Sequence, residues 1–222
     1  MKIDSIADLH GHYPKLEGGD LLIVAGDLTA LPRMKNSKIF LDWLGDQKYK
    51  KSIFIAGNHD NDWFFRAQTL INLCNPAPQI EYLCDSGTEF EGLKLWGTPW
   101  TKTFPGMNQK CKAFTCDTEE ELAVKFELIP EDIDILISHG PPYGILDEVE
   151  DRESGKVINT GSSALREAVD RVRPAYLIFG HIHEHGGKSI LYKNPGADTL
   201  CVNASYVNEH YKPINKPVRI EL

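Results

Sequence analysis

Residues 175–183 read Ala175-Tyr176-Leu177-Ile178-Phe179-Gly180-His181-Ile182-His183. The first five are apolar and predict a short buried strand. The glycine ends it, and the two histidines that follow are two positions apart. In extended backbone, residues i and i+2 project to the same side, so both imidazoles can reach one ion. Just upstream, Leu165, Val169 and Val172 recur at i, i+4 and i+7 and Pro174 stops the run, which predicts a helix leading into the strand. The unit is therefore helix, strand, polar loop.

The same unit recurs outward from this point. Strands are predicted at residues 20–25, 52–56, 134–138 and 199–203, and three of them run directly into polar residues. These ends are Ala25-Gly26-Asp27, Ala56-Gly57-Asn58-His59-Asp60 and Ser138-His139-Gly140, and the N-terminal run ends likewise in Asp8-Leu9-His10. Ligands of layered α/β proteins sit outside the carboxyl ends of strands, where loops converge over a dry core. Helical spacing is found at 39–49 and 63–73, and Thr118-Glu119-Glu120-Glu121 is a capping-box start for a helix over 122–128. Residues 81–100 and 199–222 read as further strands and hairpins, so a mixed sheet in an α/β protein is expected.

Composition sets the bounds. The chain has 222 residues, 41% hydrophobic and 25% charged, which suits a globular domain and excludes disordered and fibrous classes. At roughly 100–200 residues per domain, and with no low-complexity linker, one domain over residues 1–222 is expected. Lys plus Arg number 24 against 32 Asp plus Glu, a net charge of −8. That balance argues against a stable nucleic-acid partner, whose grip depends on neutralising phosphates, but leaves room for a small phosphorylated substrate. There is no signal-peptide pattern and no run near the roughly 18 apolar residues of a membrane span, so a cytoplasmic protein without a membrane partner is expected. Cys74, Cys84, Cys111, Cys116 and Cys201 form no Cys-x-x-Cys pair, which suits reduced thiols. None begins a Cys-x5-Arg stretch, which argues against a thiolate nucleophile.

The chemistry-bearing residues are His10, His59, His139, His181 and His183 together with Asp8, Asp27 and Asn58. Oxygen and imidazole donors without sulfur suit hard to borderline divalent ions, manganese foremost and iron, zinc or nickel as alternatives. A lone histidine at a strand end is more often a hydrogen-bonded structural residue than a ligand; a set at successive strand ends is not. His12, His185 and His210 lack that support and read as loop residues. Trp100 and Tyr143 are candidates to line a substrate pocket, with packing as the competing reading, and Trp96 reads as core. Lys48 to Lys51 reads as a solvated helix end, and Gly140-Pro141-Pro142 as a stiff loop carrying His139. Residues 101–116 and 144–160 are the expected specificity segments.

Taken in order, Asp-x-His, Gly-Asp, Gly-Asn-His-Asp, a lone His after a strand and Gly-His-x-His resemble the calcineurin-like metallophosphoesterase superfamily. Trp96-Gly97-Thr98-Pro99-Trp100, Ser138 to Gly144, Arg173-Pro174 and Asn203-Ala204-Ser205 are similar to its metallophosphoesterase-domain-containing, brain-type branch. Two departures stand out: Asp60 where that branch often has Glu, and His181 where some members have Gly.

The resemblance implies a four-layer αββα sandwich with two mixed sheets and a dinuclear metal site at the strand ends. It implies one ion on Asp8, His10, Asp27 and His183, a second on Asp27, Asn58, His139 and His181, and Asp27 as the bridge. Two carboxylates against two divalent ions leave a net charge of about +2, a pocket for phosphoryl oxygens; ions about 3.5–4 Å apart can share and acidify a water. His59 is implied as proton donor or phosphate partner, with Asp60 expected to orient it. The expected activity is hydrolysis of a phosphodiester, with nucleotides or cyclic nucleotides as candidate substrates. Alternatives are a phosphomonoesterase or protein phosphatase using the same site, and a non-catalytic metal-binding scaffold.

Overall fold

The computed structural model describes residues 1–222 except Pro32, Pro105, Gly106, Arg152 and Glu153. Four of these five fall in the expected specificity segments, whose reading at those positions lies outside the described residues. In chain order the elements are β1 (Lys2–Ile6), β2 (Gly19–Ala25), α1 (Met34–Gly45), β3 (Tyr49–Ile55), α2 (Asn61–Cys74), β4 (Ile80–Tyr82), β5 (Ser86–Phe90), β6 (Leu93–Thr98), β7 (Thr101–Lys102), β8 (Thr115–Cys116) and α3 (Glu119–Phe126). There follow β9 (Ile135–Ser138), β10 (Glu148–Glu150), β11 (Val157–Asn159), α4 (Ser163–Val172), β12 (Tyr176–Phe179), a 3-10 turn at His183–His185, β13 (Lys188–Tyr192), β14 (Thr199–Asn203) and β15 (Val218–Glu221).

Two mixed sheets form the centre, one ordered β15-β1-β2-β3-β4 and the other β13-β14-β12-β9-β6-β5. Alternation along each strand gives each sheet two buried faces. Ile3, Leu21, Ile23, Ile53 and Ile55 of the first sheet meet Ile135, Ile137, Ile178 and Val202 of the second. On its outer face the first sheet packs Leu22, Val24 and Phe54 with Phe40, Leu41 and Leu44 of α1 and Trp63 and Leu70 of α2. The second sheet buries Leu136, Leu177, Phe179 and Cys201 with Leu122, Phe126, Leu165 and Val169 of α3 and α4. Helix, sheet, sheet and helix layers follow, as the resemblance implied.

Local signals account for the start of α3 and for both ends of α4. Thr118 and Glu121 make the reciprocal capping box that starts α3, and Ser162 accepts the Leu165 N–H to start α4, which ends at Arg173 in a left-handed conformation before Pro174. The helix read at 39–49 instead spans Met34–Gly45, and Tyr49 already belongs to β3. Lys50 and Lys51 are accordingly strand residues and not a helix end: Lys50 pairs with Asp20 and Glu91, Lys51 with Glu81.

β1 to β4 are parallel to one another, as are β6, β9, β12 and β14. Their carboxyl ends meet at one edge. β14 ends there and β15 starts there, because β15 runs antiparallel to β1. The connection from Ala204 to Pro217 therefore crosses from one sheet to the other over that edge. It is laced to the first sheet by Ala7 N–H to Ala204 O and Tyr206 N–H to Ala7 O, each 2.8 Å.

Candidate metal centre

Asp8 and Asp27 each stand two residues beyond a strand, His139 stands one beyond β9, and His181 two beyond β12. The loops carrying them are tied together by backbone: Asp8 N–H to Gly26 O, His10 N–H to Asp27 O and Gly180 N–H to His139 O, each 3.0 Å. Asp8, His10, Asp27 and His181 all have positive φ (52°, 41°, 52° and 69°), a left-handed conformation unfavourable for residues bearing a Cβ. Such strain persists only where surrounding contacts over-determine it. Two glycines make room: a Cβ on Gly57 would lie 2.3 Å from Asp27 Oδ1, and one on Gly180 2.3 Å from Asp8 Oδ2.

The side chains converge. Three groups each place their donor atoms within 4.8 Å of one another: Asp8, His10 and His183; His10, Asp27 and His59; Asp8, Asp27 and His139. Asp27 Oδ1 lies 3.4 Å from His139 Nε2, and Oδ2 lies 3.6 Å from His10 Nε2 and 3.9 Å from His59 Nε2. Asp8 Oδ1 lies 3.6 Å from His183 Nε2, and His10 and His183 bring their Nε2 atoms to 3.4 Å. Asn58 Nδ2 donates to Cys111 O, which turns Oδ1 inward to 3.0 Å from His139 Nε2. His181 reaches the cluster through its ring, 5.0 Å from that of His139.

Several features fit a divalent cation. Asp8 Oδ1 is buried without a hydrogen-bond partner, while Oδ2 is held by the His181 N–H and the Ser205 hydroxyl. A buried acceptor left unpaired is costly unless something outside the hydrogen-bond inventory satisfies it. Two donors each about 2.1 Å from one ion are about 3–3.5 Å apart, close to the separations of these oxygens and nitrogens. His139 Nδ1 sits 3.0 Å from Ala25 O, so a proton there donates to the carbonyl and aims Nε2 into the pocket, where it faces the acceptors Asn58 Oδ1 and Asp27 Oδ1, a place a cation suits as well as a proton does.

Electrostatics point the same way. For both Asp8 and Asp27, burial alone would raise the carboxyl. The charges of His183 and His139 together outweigh that at Asp8 and hold it at about 2; His139 leads the same effect at Asp27, well below the carboxylate range. Burial drives His10 down to about 4 and His181 to about 3. Burial would lower His139 too, but Asp27 overcomes it and carries that imidazole up to about 9. The ionised Asp27 thus gathers compensating positive charge, a role a divalent ion can take from a proton.

Asp60 departs from expectation. Both its oxygens accept the Leu28 N–H at 3.1 Å and one accepts the Gly57 N–H at 2.8 Å. Its carboxylate therefore staples the Asp27 loop to the Asn58 loop and does not orient His59. Burial first, then the charge of Asp27, pushes it up to about 8. The His59 ring instead has Cys111 Sγ 3.6 Å from Nδ1.

The two aromatic candidates lie elsewhere. Trp100 donates to Asp85, packs on Phe114 and Phe64, and carries Lys125 over its ring at 4.0 Å. Tyr143 is half-exposed, with its carbonyl accepting from Arg166. Among the described residues, neither ring contacts a site histidine. The aromatic that does is Tyr211, 4.8 Å from the His10 ring and 5.2 Å from that of His183. Sequence reading missed Tyr211, Cys111 and the role of Ser205. Ser205 follows the strand-end rule, two residues past β14; the other two carry no local signal.

Residues 1–185 match the family described as Calcineurin-like phosphoesterase. The chain is 33% identical over 240 residues to Metallophosphoesterase domain-containing protein 1 of Homo sapiens, covering 98% of this chain and 69% of that protein. It is 29% identical over 233 residues to UPF0046 protein C25E10.12 of Caenorhabditis elegans, covering 99% and 78%. The crystal structure of TT1561 of Thermus thermophilus shares the fold, with a TM-score of 0.61 at 14% identity over 92% of this chain and 90% of that one. Among the described residues, no helix is long and apolar enough to cross a membrane. Matched along most of its length, and with donors gathered where its strands end, the chain belongs to the calcineurin-like phosphoesterase family, which supports metal-dependent phosphoester hydrolysis as its chemistry.

Proposed function

We propose that this protein hydrolyses a phosphodiester, with a nucleotide or cyclic nucleotide as the candidate substrate class, at a centre for two divalent ions. The observation carrying the reading is the placement of Asp27: its two carboxylate oxygens face different imidazoles, His139 on one side and His10 and His59 on the other. A carboxylate so placed is suited to bridging. Asp8, His10 and His183 would complete one ion's set, and Asn58, His139 and His181 the other's. Manganese is the first ion to try, since the donors are oxygen and imidazole. Bound ions would supply the positive field that makes water acidic and offsets charge building on the phosphoryl oxygens.

The chain's own contribution is placement and proton transfer. Ser205 and the His181 N–H fix Asp8; the His59 N–H, 2.9 Å from Asp27 Oδ1, fixes Asp27. The His59 side chain keeps 21% of its surface open, so its Nε2 can meet a substrate oxygen. It is the proposed donor of the proton taken by the leaving alcohol. Asp60 serves as a positioning residue between loops.

The test is turnover of a chromogenic phosphodiester beside its matching monoester by metal-stripped protein with manganese restored. Manganese-dependent diester cleavage is expected. Monoester preference would replace the diester assignment with a phosphomonoesterase, and inactivity with every metal would leave a scaffold. Within an active protein, His59→Ala should lower kcat and remove one limb of its pH profile; an unchanged profile would sink the proton-donor role.

A further inference from the structure

We infer that the ring of Tyr211 is the substrate platform of this site, stacking on a planar aromatic group carried by the phosphoester. The inference rests on the phosphoesterase reading above and adds to it the class of ester. Tyr211 lies beyond the residues matched by the family, in the connection from Ala204 to Pro217 that crosses the strand-end edge. Its ring stands 4.8 Å from His10, 5.2 Å from His183 and 6.4 Å from His59, so it borders the proposed metal ligands and the proposed proton donor together. Half of the residue, 50%, is open to solvent.

The loop is built to hold that ring in place. Asn208 Oδ1 accepts the N–H groups of both His210 and Lys212, the Asn208 N–H donates to Lys212 O, and the Tyr211 N–H donates to Asn208 O at 2.8 Å. A bridge between Val207 and Pro213 closes the loop, and Asn215 ties it to Tyr206 and Ser205. Tyr211 itself has φ +58°, a conformation unfavourable for a bulky side chain. Four hydrogen bonds, two to the Asn208 side chain and two between backbone groups, therefore fix the turn that carries the strained tyrosine. The result is an exposed aromatic surface beside a phosphate-binding centre, the arrangement by which proteins stack planar groups without reading their edges. Trp100 cannot serve, since its ring is covered by Phe114, Phe64 and Lys125.

The experiment is equilibrium binding of phenylphosphonate and methylphosphonate, neither of which can be hydrolysed, to manganese-loaded protein by calorimetry. The wild type is expected to prefer the phenyl compound. Tyr211→Leu should weaken phenylphosphonate about 5-fold or more, as loss of one stacking contact does, while methylphosphonate affinity and metal content stay within about 2-fold. Tyr211→Phe should retain the preference, since the ring and not the hydroxyl carries it. No phenyl preference in the wild type, an equal loss for both ligands in Tyr211→Leu, or a Tyr211→Phe variant as weak as Tyr211→Leu would each overturn the inference. Its fate is separable from that of the hydrolytic reading: phenyl preference without metal-dependent turnover sinks the latter, and turnover without phenyl preference sinks the former.

Discussion

The hydroxyl of Ser205 donates to Asp8 Oδ2 at 2.5 Å, across 197 residues of sequence. With the His181 N–H on the same oxygen, it leaves Oδ1 as the atom turned to the pocket. The connection that leaves β14 of the second sheet thereby orients the first candidate ligand of the first sheet. Removing a partner that orients a metal ligand costs about 10–100-fold in metal affinity. Ser205→Ala is therefore expected to lower manganese affinity about 10-fold or more, measured by competition with a chelator. The fold should survive, because the Ser205 N–H keeps its bond to Asn203 Oδ1. Unaltered affinity would show that Asp8 needs no such guide.

Asp60 supports a different expectation. Asp60→Ala strips the Leu28 and Gly57 N–H groups of their acceptor in the interior, and each unpaired buried group costs about 1–3 kcal/mol. Denaturant unfolding should report a loss of about that size per group, with Asp60→Asn losing less because an amide oxygen still accepts. The shape of the pH profile of any remaining turnover should match the wild type, because the carboxylate does not meet the His59 ring. A lost limb in that profile would restore Asp60 to the proton pathway.

The contrast between Asp60 and its neighbours shows what could be read in advance. Strand ends are legible because five short apolar runs stop at a glycine or a polar residue, and β2, β3, β9, β12 and β14 lie over those runs. The donors at these ends follow from topology: parallel strands in two facing sheets bring Asp8, Asp27, His139 and His181 to one edge whatever their spacing in the chain. Adjacency misleads at Asp60, since the residue after His59 turns away from it to two backbone N–H groups. It also misleads at the end of α1, where charged Lys48 to Lys51 continue the helical look but Tyr49 is pulled into β3 by pairing with Gly19. Tyr211 and Cys111 are illegible because they reach the histidines only through loop paths that no local pattern specifies.

Titration of the metal-free protein follows from the shifts at the centre. His10 and His181 have pKa values lowered by burial to about 4 and 3, so unfolding takes up protons below about 6.5 and stability falls as pH drops toward 4. His139, raised to about 9, and His183, also raised, contribute stability that is full below about 6.5 and is lost as pH rises through their folded values. Asp60, raised to about 8, favours the folded state less as pH rises from about 4 to 8 and so opposes the two lowered imidazoles on the acid side. The expected Tm of chelator-treated protein is greatest near pH 6.5 and declines toward pH 9. Manganese should flatten the alkaline decline by taking the place of the His139 proton. A Tm that climbs steadily to pH 9 without metal would contradict these assignments.

The glycine between β3 and Asn58 provides the sharpest steric test. A Cβ at Gly57 would stand 2.3 Å from Asp27 Oδ1, 2.6 Å from Asp27 N and 2.7 Å from the His139 ring. None of these is the free end of a flexible side chain, so the proposed bridging carboxylate or the backbone beneath it must move. Overpacking of this kind costs about 1–3 kcal/mol, and a displacement of about 1 Å at reacting groups costs about 100-fold in rate. Gly57→Ala is thus expected to lose metal-dependent turnover far out of proportion to its loss of stability. Gly45, at the end of α1, makes the matched comparison: a Cβ there meets only Ile80 at 3.8 Å and Ala77 at 4.0 Å. Gly45→Ala should gain about 0.4–1 kcal/mol by restricting the unfolded chain and leave turnover alone. Equal turnover in the two variants would show that Asp27 tolerates displacement, which a carboxylate shared between two ions could not.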